Sequence, residues 1–258
     1  MSSSVPFLLP ELETMKKYPP ELFYKGDLSL LKRPKVSIVG TRLPSNYTRE
    51  YTYMLANALA KRGVCIVSGA AMGVDGIAHE GAGFENTIAV VGNGLDIRYP
   101  AVHRNMIESI ESQGLMLSQF NDGFRATGWS FVVRNELVVA LGDVLVVAEA
   151  DLKSGSMRSV EFALKMGKEI FVLPHRLSES RGTNMLLQEC KATAITDIET
   201  FASRFGVAVE KHVEKDEFFY FCQDMPTFDQ TVEKFGDRVY EAELDGIISI
   251  ENGRVRLQ

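Results

Sequence analysis

The stretch Lys153-Ser154-Gly155-Ser156 combines a cation, two hydroxyls and a residue without a side chain. It follows the apolar, β-branched run 144–148 and precedes a helical pattern over 157–165. Free N–H groups at a helix start attract an anion, and this set of residue types suits a phosphate. Three other stretches share the arrangement of small residues between an apolar run and a helical pattern: Gly40-Thr41-Arg42, Ser68-Gly69-Ala70-Ala71-Met72-Gly73 and Gly92-Asn93-Gly94. Glycine lets an anion approach backbone amides, and Arg42 and Lys153 can neutralise its charge. Several such loops on one edge would make a pocket for phosphates.

A different chemistry is offered by Trp129-Ser130-Phe131-Val132-Val133-Arg134-Asn135. Phe131, Arg134 and Asn135 are three to four apart and share a helix face. An aromatic ring can stack on a base, an arginine can take a phosphate, and an asparagine can read an edge. The competing reading makes Phe131 a core residue and Arg134 an ion-pair partner. Asp75, His79 and Glu80 fall on one helix, where a solvated face is favoured over a metal or general-base pair. His103, His175 and His212 have no partner at ligand spacing, and no Ser-His-Asp or Cys-His set stands out. Neither G-x-G-x-x-G nor G-x-x-x-x-G-K-[ST] occurs, which disfavours a nicotinamide or ATP site. No catalytic residue, metal or cofactor is expected.

The elements that must position these residues follow from hydropathy. Apolar runs at 35–39, 64–67, 87–91, 115–118, 144–148 and 169–174, with an edge strand at 194–195, read as strands. Runs without polar alternation suit strands covered on both faces. Helices are expected over 47–62, 74–81, from Tyr99-Pro100 to about 112, and over 131–141, 157–165, 184–189 and 198–205, the last capped by Asp197. Strands alternating with helices imply parallel pairing through right-handed crossovers. In such sheets ligands sit outside the carboxyl ends of the strands.

Residues 1–34, with five prolines, read as a lead-in packed on a main domain at 35–206. Beyond Gly206 the pattern changes. Charged residues run from 210 to 217, and apolar spots then lead to a helix end and a strand, Asn252-Gly253 turn and strand. Helix followed by hairpin suggests a small winged-helix-like domain at 212–258.

The 258-residue chain is 45% hydrophobic and 24% charged, with net charge −6. The acidity is local: 212–258 holds five lysines and arginines against eleven acidic residues, and 1–211 holds 23 of each sign. A basic tail is excluded; a basic cleft in the neutral part is not. Cys65, Cys190 and Cys222 form no pair at framework or zinc spacing. No run approaches a membrane span and the start lacks a signal-peptide pattern, so a cytoplasmic protein is expected.

Taken together, these stretches resemble one family, DNA-processing protein A, DprA or Smf. The resemblance rests on Val39-Gly40-Thr41-Arg42, Val67 to Asp75, Gly92 to Pro100, Phe131-Val132-Val133-Arg134-Asn135, Asp151 to Ser156, Phe171-Val172-Leu173-Pro174 and Ser180-Arg181-Gly182-Thr183-Asn184. It implies an extended Rossmann-like α/β fold, a mostly parallel sheet with helices on both faces. It implies binding and protection of single-stranded DNA and loading of RecA onto it in natural transformation. It also implies a homodimer through the Rossmann-like domain. Carried over by residue, the DNA pocket takes Arg42, Gly69, Gly73, Phe131, Arg134, Asn135, Lys153, Ser154 and Gly155. Two departures stand out. The family's R-N-R reads Arg134-Asn135-Glu136, and no counterpart is expected for the small helical N-terminal domain of many members. A rival reading is a nucleotide-hydrolysing phosphoribohydrolase using Arg158 and Glu161, but the P-G-G-x-G-T pattern of such enzymes is missing.

Overall fold

The computed structural model describes residues 2–208, 216–244, 246–251 and 253–257. The chain divides into two compact units, 1–209 and 210–258. Most of the charged run at 210–217, with His212, lies outside the described residues, as do Asp245 at the expected helix end and Asn252 of the expected turn.

The first unit is built on a nine-stranded sheet. Its parallel part comprises β3 (Lys35–Val39), β4 (Cys65–Ser68), β5 (Thr87–Val91), β6 (Leu115–Ser118), β7 (Val144–Val147), β8 (Ile170–Val172) and β9 (Thr193–Ala194). Two strands of the lead-in, β1 (Ser3–Ser4) and β2 (Phe23–Gly26), add an antiparallel edge. The spatial order is β1-β2-β6-β5-β4-β3-β7-β8-β9, so the chain reverses direction across the sheet between β3 and β7.

Side chains alternate between the faces with period two. Cys65, Val67, Ile88, Val90, Leu145 and Val147 point to one face, under α4 (Gly128–Leu141), α5 (Ser156–Lys165) and α6 (Arg181–Gln188). Leu9, Leu12, Leu30 and Leu31 of the lead-in close that face. Val36, Ile38, Ile66, Val144 and Val146 point to the other, under α1 (Asn46–Ala60), α2 (Val74–Ala82) and α7 (Ile198–Ser203). Ala89, Val91 and Met116 pack beneath α3 (Arg104–Gln113). Each fully buried aliphatic side chain contributes about 1.5–3 kcal/mol, so the two-sided burial explains why these strands show no polar alternation.

Some boundaries differ from expectation for local reasons. Helix α4 begins at Gly128, not Phe131, because Thr127 and Ser130 form a reciprocal capping box. Helix α6 begins at Arg181, one turn early. Ser180 precedes it at φ 45°, and its hydroxyl bonds the Ala150 amide and the Thr183 hydroxyl. After Pro100 a 3₁₀ turn, Ala101–His103, comes before α3.

The second unit contains α8 (Glu217–Gln223), α9 (Phe228–Phe235), α10 (Arg238–Leu244) and an antiparallel hairpin of β10 (Ile248–Glu251) and β11 (Arg254–Leu257). Phe218, Cys222, Val239, Ala242, Ile248 and Val255 form its core. No described helix is long and apolar enough to cross a membrane.

Candidate nucleic-acid interface

A small cleft opens at the carboxyl edge of the sheet. The loops after β3, β4 and β5 and the first turns of α4 line it through Arg42, Gly69, Ala71, Met72, Gly92, Asn93, Phe131 and Arg134. Three of the four expected loops therefore converge. The fourth does not: Lys153, Ser154 and Gly155 line no part of the cleft, because β7 lies beyond β3, away from β4 and β5. They sit on the same edge all the same, since β3 and β7 are parallel neighbours. Asn135 is also outside the lining, one residue round the helix from Arg134.

The loops are locked to one another before any ligand arrives. Gly73 takes φ 81°, and a Cβ there would lie 2.4 Å from the Thr41 carbonyl oxygen, so glycine is required for the β4 loop to pass the β3 loop. The next amide, Val74, donates to that carbonyl at 3.1 Å. Asn93 is buried and its amide nitrogen donates to the carbonyls of Gly94 and Ile97, which holds the loop leading to Tyr99.

Arg134 is both of the things the sequence allowed. It lines the cleft, yet it is 5% exposed and lies 3.7 Å from the Asp75 carboxylate. Its guanidinium also donates to the Val90 carbonyl at 3.2 Å. The expected solvated face on α2 is overturned here. Asp75 and His79 are both buried: the first accepts from the Gly69 and Ala71 amides, and the second pairs with the Thr87 hydroxyl. Two amides of the glycine loop thus serve an internal carboxylate instead of an external phosphate. Burial pushes the Asp75 carboxyl up, against the pull of Arg134. Burial also pulls Arg134 down, and the nearby Arg42 adds to that. His79 is driven down to about 3, by burial first and by His103 next.

Arg42 is exposed and pairs with no carboxylate among the described residues. Its guanidinium lies 5.8 Å from the centre of the Phe131 ring, and that of Arg134 lies 5.9 Å from it. Two cations against one carboxylate leave the cleft with a net positive charge. Phe131 rests beside Gly92, where a Cβ would come within 3.1 Å of the ring. Tyr99, half exposed, stands 6.0 Å from Phe131 at 33°. The cleft therefore offers two aromatic faces and an accessible guanidinium, the parts needed to stack a base and neutralise a phosphate.

Tyr99 belongs to this wall although no role was read for it from the sequence, and Met72 joins it from the expected glycine loop. An exposed aromatic directly before a proline, after Gly-Asn-Gly, was the available signal for Tyr99. Glu149 was missed as well. Its carboxylate accepts from the Ser45 amide, the Ser45 hydroxyl and the Thr48 hydroxyl. It fills the start of α1 at the β3/β7 reversal, the place where Rossmann-type proteins hold a nucleotide phosphate. Glu136 turns away from the cleft, and its carboxylate accepts the Lys16 amide at 2.8 Å. Arg158 and Glu161 pair with each other on the exposed face of α5, outside the cleft. No group of three or more His, Cys, Asp or Glu among the described residues is placed to hold a metal.

Fold and site together define a Rossmann-like α/β protein with a basic, aromatic-walled cleft at the strand carboxyl ends. The chain belongs to the DNA recombination-mediator protein A family, whose model matches residues 4–206. It is similar to DNA processing protein DprA of Streptococcus pneumoniae, 36% identical over 69% of this chain and 64% of the relative. It is similar to protein Smf of Escherichia coli, 35% identical over 71% of this chain and 50% of the relative. The chain thus spans about half to two thirds of the length of these curated relatives. A solved structure of DNA processing protein A from Helicobacter pylori, concerned with its single-stranded DNA binding mode, superposes with TM-score 0.77 at 43% identity. The match covers 79% of this chain and 95% of that one. The X-ray structure of the S. pneumoniae protein gives TM-score 0.74 at 32% identity, over 80% and 75%.

Proposed function

We propose that the chain binds single-stranded DNA in the Arg42–Phe131 cleft and serves DNA recombination without itself performing catalysis. The observation that carries this reading is the Arg42 guanidinium, without a carboxylate partner among the described residues, beside the Phe131 ring. Duplex DNA keeps its base faces stacked inside the helix; an unpaired strand can present them to Phe131 and Tyr99. Likeness to the H. pylori protein supports the same ligand. Arg134 acts here chiefly as a support, because Asp75 already balances its charge.

Protection of incoming DNA, delivery to RecA in natural transformation, and a homodimer through the first unit are further parts of the proposal, and they rest on the family. A dimer would tie two clefts to one strand and raise avidity through effective concentration. The second unit, read as winged-helix-like, is acidic over 212–258 and is assigned to protein contacts, with itself or RecA. Lys153 is assigned to phosphates outside the cleft.

The test is a titration of single-stranded and duplex oligonucleotides at two salt concentrations. Tighter binding of the single strand, weakened by salt, is expected. Equal affinity for both forms would overturn the reading. Removal of residues from 210 onward should leave single-strand affinity within about two-fold, and a large loss would refute the assignment of the second unit.

A further inference from the structure

We infer that the single strand leaves the cleft past Arg42 and stacks again on Tyr47 and Tyr51, a second aromatic step at the start of α1; this rests on the proposed DNA binding. Strand order sets which loops a strand leaving on this side would meet. Across the carboxyl edge the loops succeed one another from β5, with Gly92 and Phe131, to β4, then β3 with Arg42, then β7 with Lys153, then β8 with His175. Tyr47 lies in the first turn of α1, which starts at this edge. Its ring is 4.6 Å from Tyr51 and 5.4 Å, edge-on, from His175. The His175 ring is itself held by the Ala148 carbonyl at 2.8 Å. Tyr47 and Tyr51 are 37% and 36% exposed, a large aromatic surface left open on a helix whose other face is core.

At this edge Lys153 is exposed and forms no ion pair among the described residues, while Glu50 is an exposed acid on α1. Glu149 is committed to Ser45 and Thr48, and Asp151 lies 4.0 Å from Arg181. On the β6 side the aromatics Phe120 and Trp129 stand near Asp96 and Asp122, which accept from the Gly123 amide and from Ser2, and near the exposed Arg125. Four strand-to-strand steps of about 4.8 Å separate the β5 and β8 loops, a span of about 19 Å. At a stacked rise of about 3.4 Å that is roughly six nucleotides.

The experiment compares a thymidine trinucleotide, which cannot span both steps, with a thymidine dodecamer, by titration against the full chain. The variants are Tyr47→Ala with Tyr51→Ala, and Tyr47→Phe with Tyr51→Phe. The alanine pair should lose about five-fold or more in dodecamer affinity, leave the trinucleotide within about two-fold, and keep the wild-type melting temperature. The phenylalanine pair should keep wild-type affinity for both. Unchanged dodecamer affinity in the alanine pair, or an equal loss for both oligonucleotides, overturns the second step and leaves the cleft in place. A loss in the phenylalanine pair equal to that of the alanine pair overturns stacking. A wild-type chain that binds neither oligonucleotide overturns the DNA reading itself, and this inference with it.

Discussion

The guanidinium of Arg134 occupies the space where a side chain on Gly69 would begin: a Cβ there would lie 1.1 Å from its terminal nitrogen. The same Cβ would stand 2.6 Å from the Asp75 carboxylate. Gly69 is therefore a consequence of the buried ion pair more than a site for an approaching phosphate. Gly69→Ala must push Arg134 off Asp75 and strand a buried charge, so it should cost about 3 kcal/mol. Gly155→Ala, with open space around it, should stay within about 0.5 kcal/mol. Denaturant midpoints of the two variants decide this. Asp75→Asn should cost a similar amount, and combining it with Gly69→Ala should add far less than the sum, because both break one contact.

Glu136 stands where the family pattern has a cation, yet it faces the lead-in and holds the Lys16 amide. Glu136→Arg should therefore gain less than two-fold in single-strand affinity. It removes a charged acceptor from that amide and should cost about 1–2 kcal/mol. Parallel binding and denaturation curves check both numbers; a ten-fold gain in affinity would contradict the geometry.

His79 gives the chain an acid-sensitive element. Its folded pKa, about 3, lies below the 6.5 of an ordinary histidine, so the unfolded chain binds the proton more readily. The stability tied to neutral His79 is complete above pH 6.5 and is lost as pH falls from 6.5 towards 3. The slope is about 1.4 kcal/mol per pH unit. In His79→Gln this slope should vanish. Asp75, whose pKa is raised, acts in the opposite sense at the acid end, so the difference between the wild-type and variant curves is the quantity to measure.

The sequence was most legible where burial is continuous. The runs 35–39, 87–91 and 115–118 are strands with the expected ends, because buried β-branched segments leave little choice of conformation. Strands β1 and β2 were not legible: two and four residues long, they exist by pairing with each other and with β6. Asp75 looked solvated because a carboxylate in a first helical turn usually is; its partner Arg134 comes from a distant helix on the other face of the sheet. Lys153 carried a sound local signal for an anion, but residue types cannot say which strand lies next to which, and β7 lies on the far side of β3 from the cleft.

The most direct measurement is single-strand affinity, against salt, of the wild-type chain and of Arg42→Ala with Phe131→Ala. Loss of one stacking face and one free guanidinium should weaken binding about 30-fold or more. The slope of log affinity against log salt should shrink by about 0.7, the share of one phosphate contact on a single strand. Equal affinity and an equal slope in the double variant would mean that DNA, if held at all, is held elsewhere on the molecule.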